Sequence, residues 1–316
     1  MRTAPAVTVV IVNWNGRHLL ELHLPSVLQQ SFRDFELIVV DNGSTDGSQE
    51  FLRKLPDVQA IELAGNAGFG PANNAAFVRA AGSWIATVNN DITLDPNWLS
   101  CLVEEIEKDP HCFAVQGKNL QEQNPGMIDG CGLGLRACGA ARRLFRNRPA
   151  ESVVDAAPIF AASSGAAVYR RSMLEELGLF DPTYFAYYED LDVGWRARLK
   201  GWHSTLMPQA VAYHKVHGTS DAFDPGLLWF LSERNRLRTF VKNLPVRAAL
   251  TCPARIVLDE LRYLNAIRAK APARALLRAR HVVVGELRSL WAKRMPALKR
   301  RSAREWLSWI ALGAGW

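Results

Sequence analysis

Residues 7–16 read VTVVIVNWNG, an apolar run that ends in a polar turn, and residues 35–47 repeat this pattern as FELIVVDNGSTDG. Two further strands are predicted at 58–63 and 84–88, and segments with helical spacing of apolar residues separate all four. Strand-length runs that are apolar throughout are typical of a parallel sheet covered on both faces. The order β-α-β-α-β-α-β predicts an α/β fold that contains a doubly wound nucleotide-binding half.

Each predicted strand is followed by a polar or glycine-rich turn. The turns are NWNG at 13–16, DNGSTDG at 41–47, GNAGFG at 65–70 and NND at 89–91. Ligands of doubly wound sheets bind beyond the carboxyl ends of the strands. We therefore expect these four turns to meet at one ligand.

Two of these turns carry candidate nucleotide contacts. Asp41, directly after a buried strand, can accept a hydrogen bond from a base imide or a ribose hydroxyl, while Ser44 and Asp46 suit a helix cap. The glycines at 65–70 let the backbone approach a ligand, and the next helix offers its amide groups to phosphate or sugar oxygens. A dinucleotide site is disfavoured, because Asn73 replaces the last glycine of that fingerprint and the turn follows the third strand.

Asp91 follows the fourth strand, where a carboxylate can reach a divalent cation that bridges two phosphates of a leaving nucleotide. It is the one acid of Asn89-Asn90-Asp91, so such a cation would need the substrate's phosphates and at least one more protein ligand. The alternative interpretation is that Asp91 only caps the turn before Asp95.

An acidic cluster at 189–192 closes the segment GLFDPTYFAYYEDLD and begins a predicted helix. The helix dipole alone would favour acids at this position. A carboxylate held here can also accept the proton of an acceptor hydroxyl as it attacks an anomeric carbon. Glu189 and Asp190 are therefore candidates for a general base and its partner. His214 and His217, beyond the next predicted strand, are candidates for the second metal ligand.

Together, these segments resemble the family 2 glycosyltransferases with the GT-A fold, especially bacterial rhamnosyltransferase-like members. The matching stretches are VTVVIVNWNG, FELIVVDNGSTDGS, NAGFGPANNAA, NNDITLDPNWL, residues 163–202 from SSGAAVYRR to WRARLKGW, and AYHKVHGTS. They occur in the family's order and cover about residues 7–240. The implied architecture is a Rossmann-like, mostly parallel central sheet with helices on both faces, followed by a helical extension.

The resemblance implies an inverting enzyme of cell-surface polysaccharide assembly. It would move rhamnose or another hexose from a dTDP- or UDP-sugar to a hydroxyl of a glycan or a lipid-diphosphate-linked saccharide. Asp190 would be the base and Glu189 its partner, and Asp91 and His214 would hold Mg²⁺ or Mn²⁺; Asn89 departs from the acid that begins the family's metal motif. The candidate substrate-binding residues are Val12, Asn13, Asn15, Asp41, Asn66, Gly70, Asn73, Asn89, Asn90, Ser164, Gly165 and Trp195.

The chain divides by composition. We expect a catalytic domain at 1–220, with a nucleotide-sugar half at about 1–100 and an acceptor half at about 101–220, and a basic, tryptophan-containing helical region at 221–316. The net charge of +7 arises mainly in that last region, which predicts an anionic partner. Helices at a membrane interface beside a lipid-linked acceptor fit this composition. Packing onto the catalytic domain or a homodimer interface fits it too, and nucleic acid ranks below these.

Other features bound the compartment and the competing classes. Five scattered cysteines suggest reduced thiols, and no segment reaches 18 apolar residues, so we expect a cytoplasmic protein in peripheral contact with the inner membrane. A nucleotidyltransferase-like enzyme would need a basic glycine-rich loop after the first strand. A catalytically inactive nucleotide-sugar-binding homologue would have lost Asp91, Glu189 and Asp190, which are all present.

Overall fold

The computed structural model describes residues 4–215, 224–299 and 301–312 of the 316 residues. The strands are β1 (Val7–Asn13), β2 (Phe35–Asp41), β3 (Gln59–Glu62), β4 (Trp84–Asn89), β5 (Ile92–Leu94), β6 (Cys112–Gln121), β7 (Asn124–Gly130), β8 (Leu133–Leu135), β9 (Ala141–Arg143), β10 (Ala157–Ile159), β11 (Ala166–Arg170) and β12 (His203–His214). The helices are α1 (Arg17–Leu28), α2 (Ser48–Leu52), α3 (Phe69–Phe77), α4 (Trp98–Glu107), α5 (Arg171–Glu176), α6 (Glu189–Lys200), α7 (Pro225–Asn243), α8 (Val246–Thr251), α9 (Pro253–Ile267), α10 (Ala273–Ala292) and α11 (Ala303–Ala311).

Ten strands form one mixed sheet in the order β10-β12-β6-β11-β4-β1-β2-β3, with β5 paired to β12 and β7 to β6. The β4-β1-β2-β3 half is wholly parallel, as the sequence predicts. In the other half β11 runs antiparallel to both β4 and β6, while β12 runs parallel to β6. Strands β8 and β9 form a separate hairpin. The predicted α/β class is confirmed, and antiparallel pairing enters with the later strands.

The parallel half is buried on both faces because successive residues of a strand point to opposite sides. Val10 of β1 belongs to the apolar cluster that includes α3, whereas Val9 and Ile11 belong to the cluster that includes α1 and α4. Helices thus cover both faces of the parallel half. The polar turns that follow the carboxyl ends of β1 and β4 lie together at one edge of the sheet.

The C-terminal helices pack onto the catalytic region. The side chains of Thr239 and Tyr184 lie in hydrogen-bond contact at 2.9 Å, and Asn243 donates a hydrogen bond of 2.8 Å to Asp192. Trp306 of α11 is fully buried in an apolar cluster with residues of α6 and β8. The predicted domain boundary at residue 220 stays a prediction. Residues of α7 form hydrogen bonds with the segment before α6 and with α6 itself. Among the described residues, no helix has the length and hydrophobicity that crossing a membrane requires.

Candidate active site

A pocket of about 680 Å³ opens at the carboxyl ends of β1 and β4, opposite the N-terminus of α6. It joins segments from both halves of the sheet, as the strand-end rule predicts. The predicted site residues that line it are Val12, Asn66, Asn89, Asn90, Asp91, Ser164, Gly165, Glu189, Asp190 and His214. The two acids separated by almost one hundred residues in sequence, Asp91 and Asp190, thus share one pocket.

The pairing of β12 with β5 brings His214 to Asp91. His214 lies opposite Ile92 in this antiparallel pair, and the Lys215 N–H donates to the Asp91 carbonyl at 3.0 Å. The imidazole Nε2 of His214 is consequently 3.6 Å from Asp91 Oδ1. The other ring nitrogen, Nδ1, is 2.9 Å from Oδ2 of Asp129 on β7, which fixes the orientation of the ring.

The environment of His214 is strongly anionic. Burial disfavours the imidazolium, but the carboxylates of Asp129 and Asp91 outweigh that effect and raise the pKa of His214 to about 9. Burial also opposes ionisation of Asp129, yet its contact with His214 and the guanidinium of Arg143 hold the pKa of Asp129 below its ordinary value. The two carboxylates therefore stabilise positive charge at His214, and a divalent cation that binds there has to displace the imidazole proton.

The Asp91–His214 pair fits a divalent cation whose remaining ligands come from a substrate. Asp91 Oδ1 is buried without a hydrogen-bond partner, which marks an acceptor available to a ligand. Within the described ranges, no cluster of three or more His, Cys, Asp or Glu side chains has metal-binding geometry. A two-ligand site suits Mg²⁺ or Mn²⁺, because these ions keep waters and bind substrate phosphates in addition to one or two protein groups. His217 lies outside the described residues.

Glu189 and Asp190 begin α6 and face the pocket differently. Asp190 is partly exposed. It accepts one hydrogen bond from the Leu191 N–H at 2.7 Å and another from the Ser164 N–H at 3.4 Å. Glu189 is only 6% exposed, and its Oε2 is buried without a hydrogen-bond partner. The helix start thus presents one hydrogen-bonded and one unsolvated carboxyl group.

The two carboxyl groups differ in how strongly they hold a proton. Burial, together with the charge of Asp190, raises the pKa of Glu189 to about 8. Burial also raises the pKa of Asp190, while the N–H groups of Leu191 and Ser164 oppose that shift. Both carboxyl groups therefore hold a proton more readily than free side chains do, and repulsion between them favours one shared negative charge over two.

A strained turn delivers this pair into the pocket. Tyr187 and Tyr188 both have left-handed backbone conformations, with φ of 72° and 73°. Asn235 of α7, which is fully buried, donates hydrogen bonds to the carbonyls of Ala186 and Tyr187 at 2.8 and 2.9 Å. Such conformations persist only where the surroundings hold them, so α7 positions the Glu189–Asp190 pair.

The glycine-rich turn that leads into α3 contacts residues 180–185, the segment before the Glu189–Asp190 pair. The Phe69 N–H donates to the Phe185 carbonyl at 2.6 Å. Gly68 has a φ of 94°, and a Cβ added there would lie 2.3 Å from the Phe185 oxygen. Asn74 adds two hydrogen bonds, accepting from the Phe180 N–H and donating to its carbonyl. Asn66 closes the turn, since its side-chain oxygen accepts from the Gly68 N–H at 3.0 Å.

Several predicted nucleotide contacts lie behind the pocket wall. Asn13 is fully buried; its amide donates to Ser48 at 2.9 Å, and its oxygen accepts from Asn90 at 2.8 Å. Asp41 is also fully buried and accepts from the Ser44 N–H and the Gln49 amide at 2.9 and 3.0 Å. These side chains hold the turns that form the pocket.

Three further predicted contacts take part in the turns, although Asn15 is exposed whereas Asn73 and Gly70 are buried. Asn15 has a φ of 48°, and its side-chain oxygen accepts from the Thr45 N–H at 2.8 Å. Asn73 is buried and donates to the Phe69 carbonyl of its own helix. Gly70 packs near the backbone of the 180–185 segment. Their contact with a substrate stays a prediction.

The assignment of Trp195 to substrate binding is wrong. Its side chain is fully buried and meets Phe160 edge-on, with ring centroids 5.9 Å apart. Trp195 follows Leu191 by one helical turn, and both face the apolar cluster beneath α6. Asp192 is likewise structural, because Arg196 and Lys242 each contact its buried carboxylate, at 2.8 and 2.9 Å.

Sequence reasoning missed three charged residues of the pocket. Asp129, Arg143 and Arg146 all line it, and the two guanidinium groups lie 3.2 and 3.8 Å from Asp129. They sit on and after the β7–β9 segment, which has no strand-end motif of the parallel type. The exposed guanidinium groups of Arg143 and Arg146 add positive charge beside the Asp91–His214 pair.

The family model described as "Glycosyl transferase family 2" matches residues 8–178, more than half of the chain. The chain is similar to the N-acetylglucosaminyl-diphospho-decaprenol L-rhamnosyltransferase of Mycobacterium tuberculosis. The two are 29% identical over 244 residues, which are 67% of this chain and 76% of that protein.

Two solved structures share the fold at low sequence identity. One is GalNAc-T7 with UDP, GalNAc and Mn²⁺, with a TM-score of 0.62, 16% identity, and coverage of 92% of this chain and 58% of that one. The other is the mannosyltransferase PcManGT from Pyrobaculum calidifontis in complex with GDP-Man and Mn²⁺, with a TM-score of 0.57, 19% identity, and coverage of 99% and 86%.

Proposed function

We propose that this chain, which belongs to glycosyl transferase family 2, is a metal-dependent inverting hexosyltransferase that moves a sugar from a nucleoside diphosphate to an acceptor hydroxyl. The observation that carries the proposal is the shared pocket of Asp91 and Asp190. One acid lies beside a histidine and can serve a cation, and the other begins a helix and can serve as a base. In a single displacement, the base acts on the incoming hydroxyl on one face of the anomeric carbon, and the cation acts on the leaving diphosphate on the opposite face.

Asp190 is the proposed base. It is partly exposed to the pocket and retains its negative charge when Glu189 holds the proton. A raised pKa makes a carboxylate a stronger proton acceptor at neutral pH, which is the direction found for Asp190. Asp190 would take the proton of the acceptor hydroxyl as the new glycosidic bond forms and the bond to the diphosphate breaks, which inverts the anomeric carbon.

The leaving diphosphate is proposed to lie at the opposite corner. Asp91 and His214 would hold a divalent cation, which when bound neutralises the charge that develops on the diphosphate. Asp129 keeps Nε2 of His214 directed toward Asp91. Arg143 and Arg146 line the same corner and would contribute further positive charge toward phosphate oxygens.

The sugar and the acceptor follow from the similar proteins. The Mycobacterium relative is named for rhamnosyl transfer to an N-acetylglucosaminyl-diphospho-lipid. We propose a dTDP- or UDP-linked hexose as donor, with rhamnose first, and a lipid-diphosphate-linked saccharide or glycan as acceptor, in cell-surface polysaccharide assembly. The protein would act in the cytoplasm at the inner membrane.

The test is a transfer assay with a panel of dTDP-, UDP- and GDP-sugars, a prenyl-diphosphate-linked N-acetylglucosamine acceptor, and Mn²⁺, Mg²⁺ or EDTA. We expect transfer with at least one donor, dependence on the cation, and an inverted anomeric configuration by NMR. Retention of configuration, or full activity in EDTA, would contradict the mechanism. Absence of transfer from every donor, with retained donor binding, would favour an inactive binding homologue.

We also propose that α10 contacts the membrane surface. Its exposed apolar residues recur at helical spacing, at Leu277, Val284, Leu287 and Trp291, and arginines flank them at 274, 278 and 288. Apolar side chains with neighbouring cations suit the interface of an anionic bilayer. The four side chains are 44–68% exposed, and the Arg294 guanidinium, 4.4 Å from the ring centroid of Trp291, adds a further cation to the stripe.

Vesicle sedimentation tests this contact. Leu277→Asp with Val284→Asp should reduce binding to vesicles that contain anionic phosphatidylglycerol. Val78→Asp is the control, since Val78 is 74% exposed and lies after α3. Equal sedimentation of wild type and the double variant would contradict the proposal. A dimer that the double variant dissociates, with unchanged vesicle binding, would assign the stripe to a homodimer.

A further inference from the structure

A second depression, of about 930 Å³, lies between the β8–β9 hairpin and α9. We call it the α9 trench. Its walls are the turn end of the hairpin, one side of α9, and Ile310 of α11. The functions proposed so far assign nothing to it.

The hairpin connects the α9 trench to the catalytic pocket. Its open end, where Leu133 pairs with Arg143, lines the catalytic pocket, and its turn end, where Leu135 pairs with Ala141, lines the trench. Ala141 lines both. Two residues of an antiparallel strand span about 7 Å, so a ligand with a sugar in the pocket can extend into the trench.

The α9 trench is cationic. Four arginines line it against a single acid, Asp259. Arg136 contacts that acid at 2.6 Å and so offsets its charge. Among the residues that the structure describes, neither Arg255 nor Arg262 forms an ion pair, and both are exposed along α9. Planar guanidinium groups bind phosphate oxygens in pairs, so this charge suits a diphosphate.

The α9 trench is also apolar along its length. Leu135 of the hairpin, Leu258 of α9 and Ile310 of α11 all contribute to its lining. Leu258 is 49% exposed and lines the concave surface of the trench. A free phosphate would gain nothing from these side chains, whereas a hydrocarbon chain attached to the phosphates would bury them.

We propose that the α9 trench binds the lipid-diphosphate end of the acceptor, with the diphosphate at Arg255 and Arg262 and the first isoprenoid units along Leu258. The inference rests on the proposed function, because it presumes that the acceptor's sugar lies beside Asp190. The α9 trench would be an acceptor subsite outside the catalytic pocket. Binding there would also cover α9, which has no buried residues although it lies beside the β8–β9 hairpin.

Direct binding tests the α9 trench without sugar transfer. Farnesyl diphosphate, inorganic diphosphate and farnesol are titrated into the full chain in EDTA, which removes metal-dependent binding at the catalytic pocket. We expect farnesyl diphosphate to bind more tightly than either fragment. Arg255→Gln with Arg262→Gln should weaken that binding about 10- to 100-fold, the range for losing hydrogen bonds to a charged group. Arg247→Gln with Arg268→Gln removes two exposed charges outside the trench and should leave that binding unchanged.

A kinetic arm separates this inference from the proposed function. The trench variant should raise KM for a prenyl-diphosphate-linked sugar about 10- to 100-fold and leave KM for an alkyl glycoside of that sugar unchanged. Equal farnesyl diphosphate affinity of wild type and the trench variant, or equal loss in the control variant, would overturn the inference. If wild type transfers sugar to neither acceptor, the proposed function fails, and the binding result still decides the trench.

Discussion

Replacing Glu189 by glutamine should make stability at high pH greater than in the wild type. Burial and the charge of Asp190 raise the pKa of Glu189 from 4.5 to about 8. Between these two values the folded protein holds a proton that the unfolded chain releases, so wild-type stability falls as pH rises through this window. The loss of stability is at most about 1.4 kcal/mol for each pH unit within this window.

Glutamine does not titrate, so Glu189→Gln should lose this pH dependence. Urea unfolding at pH 5, 7 and 9 measures the difference in free energy of unfolding between variant and wild type. The difference should shift in favour of the variant from pH 5 to pH 9, by about 1 kcal/mol or more. Glu151→Gln, an exposed acid in a 3-10 turn, controls for the change from acid to amide. A difference that stays constant from pH 5 to pH 9 would refute the reasoning about Glu189.

Three further predictions follow from the site. Asp91→Ala should abolish the Mn²⁺-dependent part of the UDP- or dTDP-induced rise in melting temperature and leave the nucleotide-induced rise without Mn²⁺ unchanged; an intact Mn²⁺ effect would remove Asp91 from the cation site. Asn235→Ala removes the donor to the Ala186 and Tyr187 carbonyls, so we expect a loss of about 1–3 kcal/mol of stability and a lower kcat with unchanged donor KM; wild-type kcat would contradict its positioning role. Gly68→Ala forces a Cβ within 2.3 Å of the Phe185 oxygen and should destabilise more than Gly178→Ala, where φ is also positive but no atom lies within 4 Å; equal unfolding free energies would contradict the steric argument.

The sequence predicted the part of the fold that follows from local pattern. Apolar runs at 7–12 and 35–40 identify strands buried on both faces, and the strand-end rule brings Asp91 to the ligand edge. The family and the α/β class predicted from these motifs are confirmed. The inverting mechanism, the metal dependence and the residue roles stay predictions.

The remainder depended on contacts between distant segments. Asp129 and Arg143 reach the pocket only through the pairing of β7 with β6 and of β9 with β8, which no strand-end motif encodes. Asp41 stands at a strand end as expected, but its carboxylate is used by the turn that follows it. Trp195 was assigned through its place in the acidic segment that resembles the family, whereas helical spacing places it with Leu191 in the core.

The proton-accepting role of Asp190 is tested most directly by the turnover of Asp190→Asn at saturating donor and acceptor. Asparagine keeps the shape of the side chain, and its one oxygen can still accept from the Leu191 N–H, which makes the shorter of the two backbone contacts to Asp190. We predict a kcat about 100- to 10,000-fold below wild type, with wild-type affinity for the nucleoside diphosphate in Mn²⁺. A kcat close to that of the wild type would show that another group accepts the proton.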